Sequence, residues 1–264
     1  MKMSLVSLQS EGSVAVITLE NPPQNRISEA LGAELSAAID KIEAGEFRAV
    51  LLRANGPDFS FGGDIMNWPD MTVRQLRATF EQYMTTFNRF ERLPLPVIAA
   101  VQGLCFGGGL ELAIRADMIF AAESATFGHP EQSLGIVTIL GGIYRVAERA
   151  GRSFASEWAL TSERVPATTM MQRGVVNRVV PDTELDKSAR EFTMRLAKGP
   201  TRAYAAHKVL LRIWAEAGVA AADTAMFDVA MPLFETDDVR RGIPSAVKAL
   251  KAGQPRPAMD FQGR

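Results

Sequence analysis

The chain reads as an α/β protein followed by a helical tail, on three observations. Short apolar runs rich in β-branched residues alternate with stripes of apolar residues at helical spacing as far as residue 180. Two of the apolar runs leave through glycine-rich turns, Gly62-Gly63-Asp64 and Gly107-Gly108-Gly109. Beyond Pro181 the strand pattern gives way to nearly continuous helical periodicity, so the first two-thirds is α/β and the last third is α.

The elements follow in order. Residues 3–9 and 13–20 (SVAVITLE) alternate apolar with polar, predicting a hairpin joined at Glu11-Gly12. From Ser28, an N-cap residue, Leu31, Leu35, Ile39 and Ile42 form one helical stripe that ends at Gly45. The run 48–55 is apolar enough for a strand buried on both faces, and a turn-rich segment, 55–64, succeeds it. Leu76, Phe80, Phe87 and Phe90 place a helix within 72–93, closed by Pro94, with a buried strand at 96–102. A short helix from Gly107 to Arg115, a strand at 117–122, a small strand or turn at 125–128 and a strand at 175–180 complete the α/β part. Helices are expected at 183–197, 201–216, 219–231 and 237–251.

Composition limits the function. The 264 residues hold 29 Lys and Arg against 30 Asp and Glu, a net charge of −1, which argues against nucleic acid as a partner. The most apolar stretch, 93–104, is too short to span a bilayer and is broken by Pro94, Pro96 and Gly103, so no membrane segment is expected. The N-terminus lacks the continuous apolar core of a secretory signal, and a cytoplasmic location is expected. One cysteine and two histidines exclude an internal disulfide, zinc fingers, iron–sulfur clusters and multi-histidine metal sites. Signatures of nucleotide hydrolysis, serine hydrolysis and dinucleotide binding are absent.

The two glycine-rich exits remain as chemistry. Without Cβ atoms the backbone approaches a ligand closely, and the first N–H groups of a helix have no partner within it. One N–H from each loop can form an oxyanion hole, although the glycines equally suit a tight strand-to-helix turn. Glu111, three residues after Gly108, lies on the same helix face and sits in an apolar frame, FGGGLELAI; a first-turn carboxylate favoured by the helix dipole is the plainer reading. Glu131 follows the turn TFGHP and would pair with Glu111 for acid–base chemistry, unless it is an exposed loop residue. His129 lacks a matched nucleophile and reads as a turn or packing residue.

The strings NPPQNRIS (21–28), FSFGGDI (59–65), VQGLCFGGGLELAIRADMIFAAESATFGHPEQSLGI (101–136) and RGVVNRVVP (173–181) resemble the crotonase, or enoyl-CoA hydratase/isomerase, family, in order and over nearly the whole chain. That resemblance implies a spiral of β-β-α units over 1–198, binding acyl-CoA, and a helical oligomerisation region over 199–264 forming a homotrimer or homohexamer. It implies an acyl-CoA thioester substrate, in which coenzyme A is part of the substrate, and neither metal nor cofactor. By motif position the oxyanion-hole groups are the N–H of Gly63 and Gly108, and the catalytic pair is Glu111 and Glu131. Gly62, Asp64, Ile65 and Met66 carry over as CoA-binding positions, Asp64 being equally suited to stabilise the turn. Arg26 stands where a cation would meet a CoA phosphate. The segment LGIVTILGGIYRV departs from the family pattern, with Thr138 in place of a proline and Ile143-Tyr144 in place of Thr-Gln, which reshapes the acyl pocket. Ile139 stands eight residues after Glu131, where a dienoyl-CoA isomerase would have an acid. The implied activity is hydration of a 2-enoyl-CoA. The alternatives are Δ3,Δ2-enoyl-CoA isomerisation with Glu131 as single base, and a non-catalytic acyl-CoA-binding protein.

Overall fold

The first pairing in the chain is the expected hairpin, shifted along its first strand. The computed structural model describes residues 4–263, and Met3, at the start of the strand expected over 3–9, lies outside them. β1 (Val6–Glu11) and β2 (Val14–Leu19) are antiparallel with Glu11 opposite Val14. Gly12, at φ 61°, helps close the turn in two residues, so pairing runs on to Glu11 instead of stopping at residue 9. In α1 (Glu29–Ala44) the Ser28 hydroxyl accepts the Leu31 N–H, and Leu31, Leu35, Ile39 and Ile42 are buried as their spacing predicts. β3 (Ala49–Ala54) is followed by α2 (Val73–Glu91), which opens on a reciprocal Thr72–Gln75 capping box.

Next come β4 (Val97–Val101), β5 (Leu104–Phe106), α3 (Gly108–Ala113), β6 (Met118–Ala122) and β7 (Thr126–Gly128). The stretch that follows is richer in helix than the sequence pattern indicates. It holds α4 (Gly142–Ala150), α5 (Arg152–Thr161), the two-residue β8 (Val165–Pro166) and α6 (Ala167–Gln172) before β9 (Arg178–Val180). The strand expected over 175–180 keeps only its last three residues, because the Val175 and Val176 N–H groups bond to Met170 O in the turn that closes α6.

The larger sheet has the order β1-β2-β3-β4-β6-β9, parallel throughout beyond the hairpin, and the smaller sheet has the order β5-β7-β8. β4 passes from the large sheet to β5 in the small one, and β6 passes likewise to β7. The segment after β3 follows the same path: Ser60 bridges to Cys105 of β5, and Gly63 bridges to Ile27. Each turn of the chain therefore makes a strand, a second strand and a helix, and successive turns stack the residue 60–63 segment on the 105–108 segment. β2, β3 and β4 are almost wholly buried, which explains their unbroken apolar sequence.

α7 (Leu185–Ala197) packs across the strands of the large sheet and buries Leu185, Ala189, Thr193 and Ala197. α8 (Thr201–Ala230) and α9 (Asp237–Lys251) differ: among the described residues α8 buries only Thr201, and α9 only Asp238 and Ala249. Gly218, with φ 80° and ψ −179°, breaks α8 in two at the junction expected between 216 and 219. Lys208 anchors the first half, donating to Leu95 O and Asp117 Oδ2 at 2.8 Å each. The helical span Thr201–Glu235 holds an 18-residue stretch of mean hydropathy 1.3 and is long and apolar enough by length and composition to cross a membrane, a correction to the expectation that no segment would be. Leu211, Trp214, Val219 and Phe227 are exposed along it, on the two sides of the Gly218 break.

Candidate active site

Stacking of the two glycine loops creates the site. Ile27 N donates to Gly62 O at 2.8 Å and Asp64 N to Ile27 O at 3.0 Å, while Phe106 N bonds to Ser60 O at 2.9 Å; the 60–64 segment is thus pinned on both edges. Gly62 has φ 98°, and a Cβ there would stand 3.0 Å from Phe106 O and 3.2 Å from Gly108 N, so only glycine lets the loops meet. Gly107, at φ 49°, leaves room for a carboxylate: its Cβ would fall 2.8 Å from Glu131 Oε1. The N–H groups of Gly63 and Gly108 take no part in the hydrogen bonding among the described residues, and both glycines line one cavity with Glu111 and Glu131.

Glu111 stands in the first turn of α3 and is 2% exposed. Its Oε1 accepts two backbone N–H groups, from Leu140 at 2.7 Å and Gly142 at 2.9 Å. Burial pushes its pKa up to about 7, helped by the charge of Glu131 and opposed by those two N–H groups and Arg115. Glu131 sits on a single 3-10 turn, Pro130–Leu134, ended by left-handed Gly135. Its carboxyl is also raised by burial, and its Oε2 is buried with no protein partner. Both carboxyls therefore hold protons more readily than exposed ones, as groups that exchange protons near neutrality require.

The raised Glu111 pKa has a consequence for stability. A carboxyl with folded pKa about 7 against an ordinary 4.5 binds more protons folded than unfolded between those values. Its stabilising contribution is complete below pH 4.5 and is lost as pH rises through 7, a change on the order of 3 kcal/mol. The unfolding free energy of the wild type minus that of Glu111→Gln, measured in urea from pH 4.5 to 8, should fall over that window; a flat difference would show an unshifted carboxyl.

The cavity, about 220 Å³, is otherwise lined mainly by apolar groups, including Ile27, Phe61, Trp68, Phe80, Ile136 and Ile139. Trp68 comes from a 3-10 turn, Trp68–Asp70, just before α2, which sets the indole edge-on to Phe80 with centroids 5.2 Å apart. Of the residues expected to bind CoA, Arg26, Gly62 and Ile65 line the cavity. The Arg26 guanidinium lies over the Phe61 ring and its Nε donates to Gln24 Oε1 at 2.8 Å. Asp64 and Met66 fall outside the lining: Asp64 Oδ1 accepts the Met66 N–H at 3.4 Å within the turn, and the Met66 side chain is exposed.

Three features of the site escaped the sequence reading. The amides that hold Glu111 belong to Leu140 and Gly142, which flank Gly141 at the start of α4, and Gly141-Gly142 is a further glycine pair at a helix start. Arg115, wholly buried, bonds Leu140 O at 2.8 Å, and an arginine inside LELAIRADMIF is the signal that a buried partner exists. His129 opens the 3-10 turn and packs on Trp158, as a turn or packing residue would; its proximity to Glu131, Nδ1 to Oε2 at 3.8 Å, is what the sequence does not show. Gly142→Ala is the simplest probe of this region, since its Cβ would stand 2.9 Å from both Glu111 Cγ and His129 Cε1. Displacing Glu111 should lower kcat on the order of 10²-fold with little change in thioester affinity. Unchanged kcat would show that the carboxyl tolerates movement.

Comparison with known proteins gives the family and the fold. The family model for enoyl-CoA hydratase/isomerase matches residues 9–252. The chain is 34% identical over 199 residues to a short-chain-enoyl-CoA hydratase of Clostridium acetobutylicum, covering 74% of this chain and 76% of the relative. It is 33% identical over 214 residues to a carnitinyl-CoA dehydratase of Salmonella typhimurium, covering 79% and 80%. A solved enoyl-CoA hydratase from Bacillus anthracis superposes with TM-score 0.88 at 28% identity, over 98% of this chain and all of that one. The spiral of β-β-α turns is the crotonase fold. The chain belongs to the enoyl-CoA hydratase/isomerase family.

Proposed function

We propose that this protein adds water across the double bond of a 2-enoyl-CoA thioester. The observation that carries the proposal is the convergence of Glu111 and Glu131 on one apolar cavity beside two unengaged backbone N–H groups. The relatives named enoyl-CoA hydratase and carnitinyl-CoA dehydratase support it, since hydration and dehydration are one reaction in two directions.

The thioester oxygen accepts the Gly63 and Gly108 N–H groups, which stabilise the negative charge it gains by roughly 3 kcal/mol per donor. Glu111, fixed through Oε1, uses its other oxygen to orient a water and takes one of its protons. The water oxygen bonds to Cβ and the C=C electron pair moves toward the thioester oxygen. Glu131, protonated beforehand, delivers its proton to Cα as the enolate collapses. Exchange with solvent returns Glu111 and Glu131 to their starting states. No electron changes hands, so the chemistry calls for no redox cofactor, and coenzyme A enters with the substrate. The 62–66 turn would carry the pantetheine mainly through its backbone, with Arg26 meeting a CoA phosphate at the cavity rim. The exposed apolar residues of α8, with Leu250 of α9, would pack on further copies of the chain in a trimer or hexamer.

The test is incubation of the purified protein with crotonyl-CoA and, separately, a 3-enoyl-CoA in deuterated water, with products read by mass and NMR. A 3-hydroxyacyl-CoA carrying deuterium at Cα is the expected result. Double-bond migration without added water would replace the reading by isomerisation with Glu131 as base. Tight thioester binding without either product would replace it by a binding role.

A further inference from the structure

His129 is 2% exposed, and both of its ring nitrogens are buried without a protein partner. Buried polar atoms are ordinarily paired, and an unpaired donor costs about 1–3 kcal/mol. The neighbouring orphan is Glu131 Oε2, 3.8 Å from His129 Nδ1. Three unpaired polar atoms thus share one buried place, and two of them face each other. The Glu131 carboxylate is divided by its surroundings: Oε1 lies against Gly107 in the glycine loop, and Oε2 lies toward His129. The imidazole is held in place by Trp158, with ring centroids 4.4 Å apart, and by the backbone at Gly142.

We propose that His129 is a positioning residue for Glu131, its Nδ1–H engaging Oε2 during turnover so that Oε1 is presented to the substrate Cα. This rests on the hydratase reading for the identity of the substrate atom, but the His129–Glu131 pair itself does not. The arrangement needs a small closure, from 3.8 Å to hydrogen-bond distance, which rotation about the Glu131 side chain supplies. Burial keeps the imidazole neutral, with its pKa lowered to about 4, so His129 offers an N–H and not a charge. The other titratable group facing the pair is Glu111 from α3, with Arg115 acting on Glu111 from behind; α5 presents the Trp158 ring, and α4 begins with Gly142. A hydrogen bond donated to the carboxylate favours its ionised form and fixes its rotation, both of which a proton shuttle uses in every cycle.

The experiment compares His129→Leu, which keeps an apolar body against Trp158, with His129→Asn, whose amide restores a donor at the position of Nδ1. In the Leu variant the pH limb of kcat assigned to Glu131 should move up by about one unit. The KM should stay within about twofold and kcat should fall about tenfold, and the Asn variant should restore the limb. Carbon-13 NMR of the Glu131 carboxyl, in a Glu111→Gln background so that one carboxyl titrates, should show the same upward displacement without substrate. An unchanged limb and titration in His129→Leu, or failure of His129→Asn to restore them in a folded protein, would overturn the proposal. If the wild type fails to hydrate crotonyl-CoA while the NMR displacement is seen, the hydratase reading falls and the pair stands.

Discussion

Glu131→Gln should lower turnover by about 10³-fold, the range expected when a single acid–base group is removed, while affinity for a 3-hydroxyacyl-CoA product stays within about threefold. Gln keeps the shape of the side chain and the packing against Gly107, where Oε1 stands so close that a Cβ would fall 2.8 Å away. What it loses is the exchangeable proton. A second readout comes from the like-charge contact: the Glu131 carboxylate raises the pKa of Glu111, so neutralising it should bring the Glu111 titration down from about 7. Stopped-flow turnover, product binding by calorimetry and carboxyl NMR together check the prediction. Turnover within about tenfold of wild type would remove Glu131 from the proton path, whatever happened to Glu111.

The parts of this site that could be read in the sequence are those whose chemistry is local. Gly62, Gly63, Gly107 and Gly108 announce themselves because a glycine cluster after a buried strand serves few purposes, and Glu111 does so because a carboxylate in FGGGLELAI has no solvent to face. Stripe spacing placed α1, α2, α7 and α9 to within a few residues, and Gly218 divided α8 where the periodicity did. The rest depends on contacts between distant segments. α4, α5 and α6 are short and lie where neither periodicity nor length separates helix from loop, and β8 has only two residues. His129 gives no local signal, since its meaning comes from Trp158 and Glu131 meeting around it. For Asp64 the sequence offers a binding position and a turn-stabilising residue alike, and the side chain does accept the Met66 N–H within its own turn.

Arg115 likewise takes its meaning from distant segments, and its removal should have the second large effect. Its buried guanidinium spends one Nη on Asn88 Oδ1 and Glu91 Oε2, at 2.6 and 2.9 Å, and the other on Leu140 O at 2.8 Å. Leu140 in turn donates its N–H to Glu111, so a single residue links the arginine to the Glu111 carboxyl. Burial lowers the arginine pKa only to about 10, which leaves it charged at neutral pH. Arg115→Met keeps the volume but leaves Leu140 O and Asn88 without a donor. Glu91 retains Arg145, bonded at 2.7 and 2.6 Å, so the carboxylate is not abandoned. The loss of stability should accordingly lie near 3 kcal/mol, the low end for breaking a buried ion pair. Release of Leu140 should also lower kcat on the order of 10²-fold, because Glu111 would no longer be held in one rotation. Arg115→Lys separates the two effects: it restores charge beside Glu91 but not the planar fork, so stability should recover in part while kcat does not. Urea unfolding and kcat measured on both variants decide the matter, and a fully active Arg115→Met protein would show that Glu111 is oriented by Gly142 alone.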